Sequence, residues 1–174
     1  MPPYGDNITD YQTLSINTNN VDRYQIRWMA EDDIETMTKI DRDTWGNTSW
    51  SSKDFFKSLN NLSWNCWVLE NPNSNQPILG YGLQYQLDNM SHVANLTLHP
   101  NQCGRGLGGI LLRHMIDYAR QNDATKITLE VNTSNTRAFK LYLNHGFQII
   151  EYLERYYSDT ADAYRMELLF DVIY

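Results

Sequence analysis

Asn101-Gln102-Cys103-Gly104-Arg105-Gly106-Leu107-Gly108-Gly109 is the stretch whose reading decides the fold. An apolar run, Val93 to Leu98, precedes it, and His99-Pro100 makes a corner. After it, Ile110 to Ala119 repeats apolar residues at helical spacing. The chain therefore reads strand, glycine-rich turn, helix. Glycines let such a turn bend tightly and leave no Cβ over its amides. The first N–H groups of a helix have no intrahelical partner and point outward at its positive end. The corner is thus a seat for a pyrophosphate built of backbone, with Arg105 as a supplementary cation. Two other readings compete. The glycines can be a plain turn, and Gly104-x-Gly106-x-x-Gly109 also fits the dinucleotide fingerprint, with Glu130 as the ribose-binding acid. Against the fingerprint, several residues part the strand from the first glycine, and the chain beyond Glu130 is too short to complete a doubly wound sheet.

The 174 residues make one domain with a sizeable core. A net charge of −7 excludes the basic footprint of a nucleic-acid binder and suits a cationic substrate. Cys66 and Cys103 form no disulfide framework, and the four histidines, His92, His99, His114 and His145, lack metal-ligand spacing. No metal is expected. No apolar run reaches membrane-spanning length, and the first residues lack the regions of a signal peptide. A reducing cytoplasm is the expected compartment, with no membrane partner.

Residues 1–22 are rich in Asn, Thr, Pro and Gly and read as a loose extension, with a short strand around residues 11–16. Residues 23–174 form the domain. Strands are expected at Tyr24–Met29, Cys66–Leu69, Ile78–Leu87, Ser91–Leu98, Lys126–Val131, Phe147–Tyr156 and Tyr164–Phe170. Helices are expected at Asp32–Asp43, after a cap at Ser51 or Ser52, after the glycine turn, and at Thr136–Asn144. Along the strand after the long helix, Ile127, Leu129 and Val131 alternate with Thr128, Glu130 and Asn132. The order predicts an α+β fold: a mixed, mostly antiparallel central sheet, helices on both faces, and one right-handed β-α-β unit.

Cys103-Gly104-Arg105-Gly106-Leu107-Gly108 resembles the Gln/Arg-x-x-Gly-x-Gly/Ala motif of the GNAT acyltransferases. In order around it stand Asn95-Leu96-Thr97-Leu98-His99-Pro100, Leu129-Glu130-Val131, Ser134-Asn135, Leu141-Tyr142 and Gly146-Phe147. Tyr156-Tyr157-Ser158-Asp159 and Asp162-Ala163-Tyr164-Arg165-Met166 resemble the ending of the RimI-like N-terminal protein acetyltransferases, and Trp50-Ser51 resembles their Pro-Trp-Ser loop. The likeness covers about residues 24–170. Cys103 replaces the usual Gln or Arg, and Ser49 the usual Pro.

The resemblance implies a GNAT fold and direct acetyl transfer from acetyl-CoA to an amine, most simply a protein N-terminus, a ribosomal protein among the candidates, in a monomer or homodimer. It implies acetyl-CoA contacts from Leu96, Thr97 and Leu98 through backbone, from Gly104, Arg105, Gly106, Leu107, Gly108 and Gly109 at the corner, and from Asn135. A free α-amine has a pKa of about 7.7–8.0 and must lose a proton to attack. Glu130 stands at the family's base position, and burial among aromatics is expected to raise its pKa. Tyr142 stands at the position of the acid that receives the departing thiolate. Trp50, Tyr156 and Tyr157 would wall the acceptor cleft. From the residues alone, Glu130 can equally be a solvated strand carboxylate, Tyr142 a packed helix aromatic, Asn135 an N-cap, and the three aromatics core. A small amine acceptor such as a polyamine or antibiotic, and a non-catalytic CoA-binding module, are the alternatives at the level of function.

Overall fold

The structure, a computed structural model, describes residues 16–18, 22–158 and 160–170. Most of the extension, and of the strand expected near residues 11–16, lies outside the described residues; within it Ile16–Thr18 is a strand. Eight strands form one sheet in the order β1-β2-β3-β4-β5-β6-β8-β7. They are β1 (Ile16–Thr18), β2 (Asp22–Trp28), β3 (Trp64–Glu70), β4 (Ile78–Leu87), β5 (Met90–Leu98), β6 (Lys126–Asn132), β7 (Gln148–Ser158) and β8 (Ala161–Leu169). Among the described residues only β5 and β6 pair in parallel, as the crossover between them requires. The mixed, mostly antiparallel sheet with one β-α-β unit expected from the sequence is the arrangement observed.

The helices are α1 (Ile34–Trp45), α2 (Ser52–Leu59), α3 (Leu107–Gln121) and α4 (Thr136–Asn144). On one face, α1 and α2 bury Met37, Ile40 and Phe55 against Val68, Tyr81 and Leu83. On the other, α3 lays Leu111, Leu112 and Met115 against Trp67, Ile127 and Leu129. Each such fully buried aliphatic side chain contributes about 1.5–3 kcal/mol. The 3.6-residue period of α3 and the 2-residue period of β6 converge on that second core. Ile127, Leu129 and Val131 are therefore buried under α3, while Thr128 and Glu130 turn to the opposite face.

Local chemistry ends the elements where the sequence places the signals. Ser51 caps α2 and Asp54 returns the bond to the Ser51 amide, a closed capping box. Gly146 follows α4 with φ +89°, a conformation a side chain strains. Arg27 on β2 forks onto Asp33 at 2.7 and 2.9 Å, which fixes the entry to α1 against the sheet.

Candidate functional site

Pro100–Gln102 forms a 3-10 turn, and the chain reaches α3 through Gly104 (φ +83°) and Gly106 (φ +78°). No atom lies within 4 Å of a Cβ built on either glycine, so the backbone conformation and not crowding demands glycine there. At the helix start Gly109 and Ile110 donate to the Gly106 carbonyl at 3.1 and 3.3 Å, and the helix amides before them have no intrahelical partner to face. A Cβ on Gly108 would meet Leu98 and Leu141 at ordinary contact distance, so the helix start sits close upon β5 and α4. The Arg105 guanidinium donates to the Tyr24 hydroxyl and to Gln102 Oε1, both at 2.6 Å. Its side chain thus braces the turn against β2.

The groove leading away from this corner comes from the sheet. β5 and β6 pair from Met90↔Lys126 to Val93↔Leu129, and there the pairing stops although both strands continue. Across β4 the register shifts, Leu83 facing Asn95 and Gln84 facing Val93, so Ala94 is bulged. The bulge re-aims β5, and Asn95 to Leu98 run beside β6 without pairing to it. Leu96, Thr97 and Leu98 therefore present an unpaired strand edge, the geometry in which an extended amide chain adds as a neighbour. The Thr97 side chain faces away, into bonds with Asn95 (2.7 Å) and Trp45 (2.9 Å). Asn135 accepts from the Ala138 amide at 3.1 Å and is the N-cap of α4.

Glu130 stands where the strands part. Its side chain is only 10% exposed. Arg165 Nε donates to Oε1 at 2.8 Å, and His92 Nε2 lies 3.2 Å from Oε2. Arg165 also binds Glu151. Burial pushes the Glu130 carboxyl up, but the bonds from His92 and Arg165 outweigh it and hold the group down at about 2. The expected rise in pKa is therefore corrected. The aromatics are present, but a guanidinium facing Glu130 across the β6–β8 ladder and an imidazole on β5 decide the outcome.

Tyr157 donates to the Glu130 carbonyl at 3.1 Å, and Tyr156 packs edge-on against it with centroids 4.9 Å apart. Burial, then the neighbouring Tyr156, Tyr142 and Glu130, push the Tyr157 phenol well up. These residues form one cluster. Tyr142 is buried against Phe147 at 5.8 Å, and burial pushes its phenol to about 12. It is suited to donate a hydrogen bond to a thiolate more than to surrender its proton outright, ordinary thiols titrating near about 8.5. Asp162 shapes the rim. It accepts from the Arg155 amide at 2.8 Å and the Tyr152 hydroxyl, holding Arg155 at φ +54° in the β7 irregularity that presents Tyr156 and Tyr157.

Trp50 does not join that cluster directly. Its ring packs on Phe55 at 5.7 Å and Trp64 at 5.9 Å. From there a row of rings, Trp64, Tyr85 and His92, leads across the sheet at 5.2 and 5.0 Å to Glu130. Buried Asp41 on α1 accepts the Trp50 amide, the Tyr81 hydroxyl and Asn95 Nδ2. Both ends of the α1–α2 loop are thereby tied to β5, Trp50 through Asp41 and Trp45 through Thr97.

Sequence reasoning missed His92, Arg165, Asp41 and Asp162. Arg165 lies in a quoted motif, yet its facing Glu130 follows only from strand register. The one signal for His92 was its place on a strand bound for the corner. A cavity of about 1160 Å³ opens elsewhere, between α1, α2 and the β3–β4 turn, and meets the corner only at His99. Among the described residues no group of three His, Cys, Asp or Glu could hold a metal ion, and no helix is long and apolar enough to cross a membrane.

The Acetyltransferase (GNAT) family profile matches residues 26–147. A putative ribosomal protein bS18-alanine N-acetyltransferase of Bacillus subtilis is 26% identical over 145 residues, 79% of this chain and 89% of that one. The crystal structure of the ribosomal-protein-S18-alanine N-acetyltransferase from Escherichia coli superposes with a TM-score of 0.77 at 23% identity, over 87% of this chain and 96% of that one. A putative acetyltransferase from Salmonella typhimurium, solved with its cofactor acetyl-CoA, gives 0.71 at 19% identity, again over 87% and 96%. At these identities the two structures share its fold.

Proposed function

The chain belongs to the GNAT acetyltransferase family, and from that premise we propose that it acetylates the α-amino group of a protein N-terminus. Acetyl-CoA supplies the activated acetyl group. The observation that carries the reading is the parting of β5 and β6 after Val93↔Leu129, with Glu130 at its apex and the glycine corner at its mouth. The residues fit the donor. The backbone amides of the glycine corner suit its pyrophosphate, and the unpaired edge at Leu96–Leu98 suits its amide arm.

Glu130 serves as the base through an oriented water. Held near 2, it is too weak to strip a free ammonium of pKa about 8, so the neutral amine attacks. Glu130 stabilises the positive nitrogen formed as the C–N bond closes, and that proton leaves by the water to solvent as the thiolate departs. Tyr142 donates to the sulfur as the bond to carbon breaks. Tyr156, Tyr157 and the row from Trp50 wall an acceptor whose ammonium is drawn to an acidic protein. The likeness to the putative ribosomal protein bS18-alanine N-acetyltransferase of Bacillus subtilis supports a protein acceptor, and ribosomal-protein N-termini are the first peptides to try.

The test is acetyl transfer from acetyl-CoA to a panel of peptide N-termini beside polyamines and aminoglycosides. Turnover confined to α-amines is expected. Turnover confined to the small amines would replace this acceptor, and thioester binding without any amine-dependent cleavage would reject the enzyme.

A further inference from the structure

His92 lies outside every motif that led to the site, yet it touches the carboxylate at its centre. Its Nε2 is 3.2 Å from Glu130 Oε2 and its Nδ1 is 2.8 Å from the Thr128 hydroxyl. The ring lies along Tyr85 with centroids 5.0 Å apart and its side chain is 14% exposed. The groups around it are Thr128 and Glu130 of β6 and Tyr85 of β4. Behind Glu130 stand Arg165 of β8 and, beyond it, Glu151 and Tyr156 of β7. We propose that His92 is the positioning residue of the deprotonation step: neutral, it aims the Glu130 carboxylate with one N–H; protonated, it closes that carboxylate into a second ion pair and switches transfer off.

The proposal rests on Glu130 serving as the base. Two features of the seat carry it. First, Glu130 already has one permanent cation on Oε1, so the state of His92 decides whether the remaining oxygen faces a dipole or a full charge. A carboxylate between two cations has the lower proton affinity and the poorer grip on an incoming ammonium. Second, the Thr128 hydroxyl serves both states of the ring. With neutral His92 carrying its proton on Nε2, the hydroxyl donates to Nδ1. With charged His92, Nδ1 donates, and the hydroxyl turns to the Ser91 carbonyl 3.5 Å away. A ring needed only for packing requires no such two-way partner. Imidazole is the side chain whose ordinary titration lies within roughly pH 5–8, where this enzyme class has to deprotonate an amine.

Two measurements on the full chain decide it. In the ligand-free protein labelled at glutamate carboxyl carbons, the Glu130 signal should show a second inflection above its own titration, where His92 changes charge, and lose that inflection in His92→Gln. Glutamine keeps an N–H donor without a titrating charge. In turnover of an α-amine peptide, wild-type kcat/KM should fall about a hundredfold per pH unit on the acid side, one proton from the amine and one from His92. His92→Gln should fall about tenfold. A wild-type Glu130 signal with no inflection there, or the same acid slope in both proteins, overturns the proposal. A His92→Gln protein that binds acetyl-CoA normally but is dead at every pH overturns it too, since the ring would then carry the proton itself. If no α-amine peptide is turned over, the acceptor reading has failed, and the carboxyl signal still decides the role of His92.

Discussion

Replacing Arg165 with Met should destabilise the protein at neutral pH by an amount that disappears in acid. Glu130 is held at about 2 against an ordinary 4.5, a difference of roughly 2.5 pH units. At about 1.36 kcal/mol per unit, the ionised carboxylate in its seat contributes on the order of 3 kcal/mol of native stability, the net of its burial cost and the larger gain from His92 and Arg165. Removing the guanidinium, the smaller of the two partners, should cost on the order of 1–2 kcal/mol. The carboxylate left behind is nine-tenths buried with a single partner, and its desolvation is no longer offset. The pH dependence has a definite sign. Glu130 titrates lower in the folded chain than in the unfolded one, so the gain is complete above its ordinary pKa and fades as pH falls towards about 2. Urea unfolding of wild type, Arg165→Met, Glu130→Gln and the double variant, at neutral pH and near about pH 3, measures both the loss and the coupling. Equal losses at the two pH values, or a coupling of zero in the cycle, would refute the claim that this guanidinium holds the carboxylate down.

Glu130→Gln should lower kcat/KM by about 10²–10⁴ while leaving acetyl-CoA affinity by calorimetry near wild type, because the donor's contacts lie on other residues; equal losses in both would make Glu130 a donor-binding group. Gly106→Ala forces an alanine to φ +78° at a cost of about 1–2 kcal/mol, and should weaken acetyl-CoA binding more than it lowers Tm, since the helix amides are re-aimed. Asp41→Asn cannot accept from Trp50, Tyr81 and Asn95 together, so about 2 kcal/mol should be lost in urea unfolding and the acceptor KM should rise more than that of acetyl-CoA. An unchanged acceptor KM would show that the α1–α2 loop is held by its rings alone.

Much of this protein is legible in one dimension because its signals are local. The two-residue period of Ile127, Leu129 and Val131 names the buried face of β6 and, by exclusion, the face of Glu130. The apolar period after Gly109 names the buried stripe of α3, and the glycines before it bound the helix because only they take φ near +80° without strain. Ser51 with Asp54, and Gly146, punctuate neighbouring helices within four residues of themselves. Three outcomes were beyond such reading. Arg105 has a chemistry that suits phosphate, but that its guanidinium also reaches Tyr24, 81 residues earlier, follows only from the fold. Trp50 has the composition of a cleft wall, but Asp41 and Trp64 set it at the far end of an aromatic row. The parting of β5 from β6 depends on one bulged residue, Ala94, which nothing in its own identity announces.

The acidity of Glu130 is the clearest division between the two levels. Sequence alone determined that a carboxylate stands on the open face of a strand entering a phosphate-binding corner, because alternation and glycine conformation are properties of neighbours in the chain. Only the tertiary structure decided what that carboxylate is worth as a base. Its proton affinity is set by charges within a few ångströms, and those charges arrive on β5 and β8, 38 residues before it and 35 after, through a strand register that no local pattern encodes.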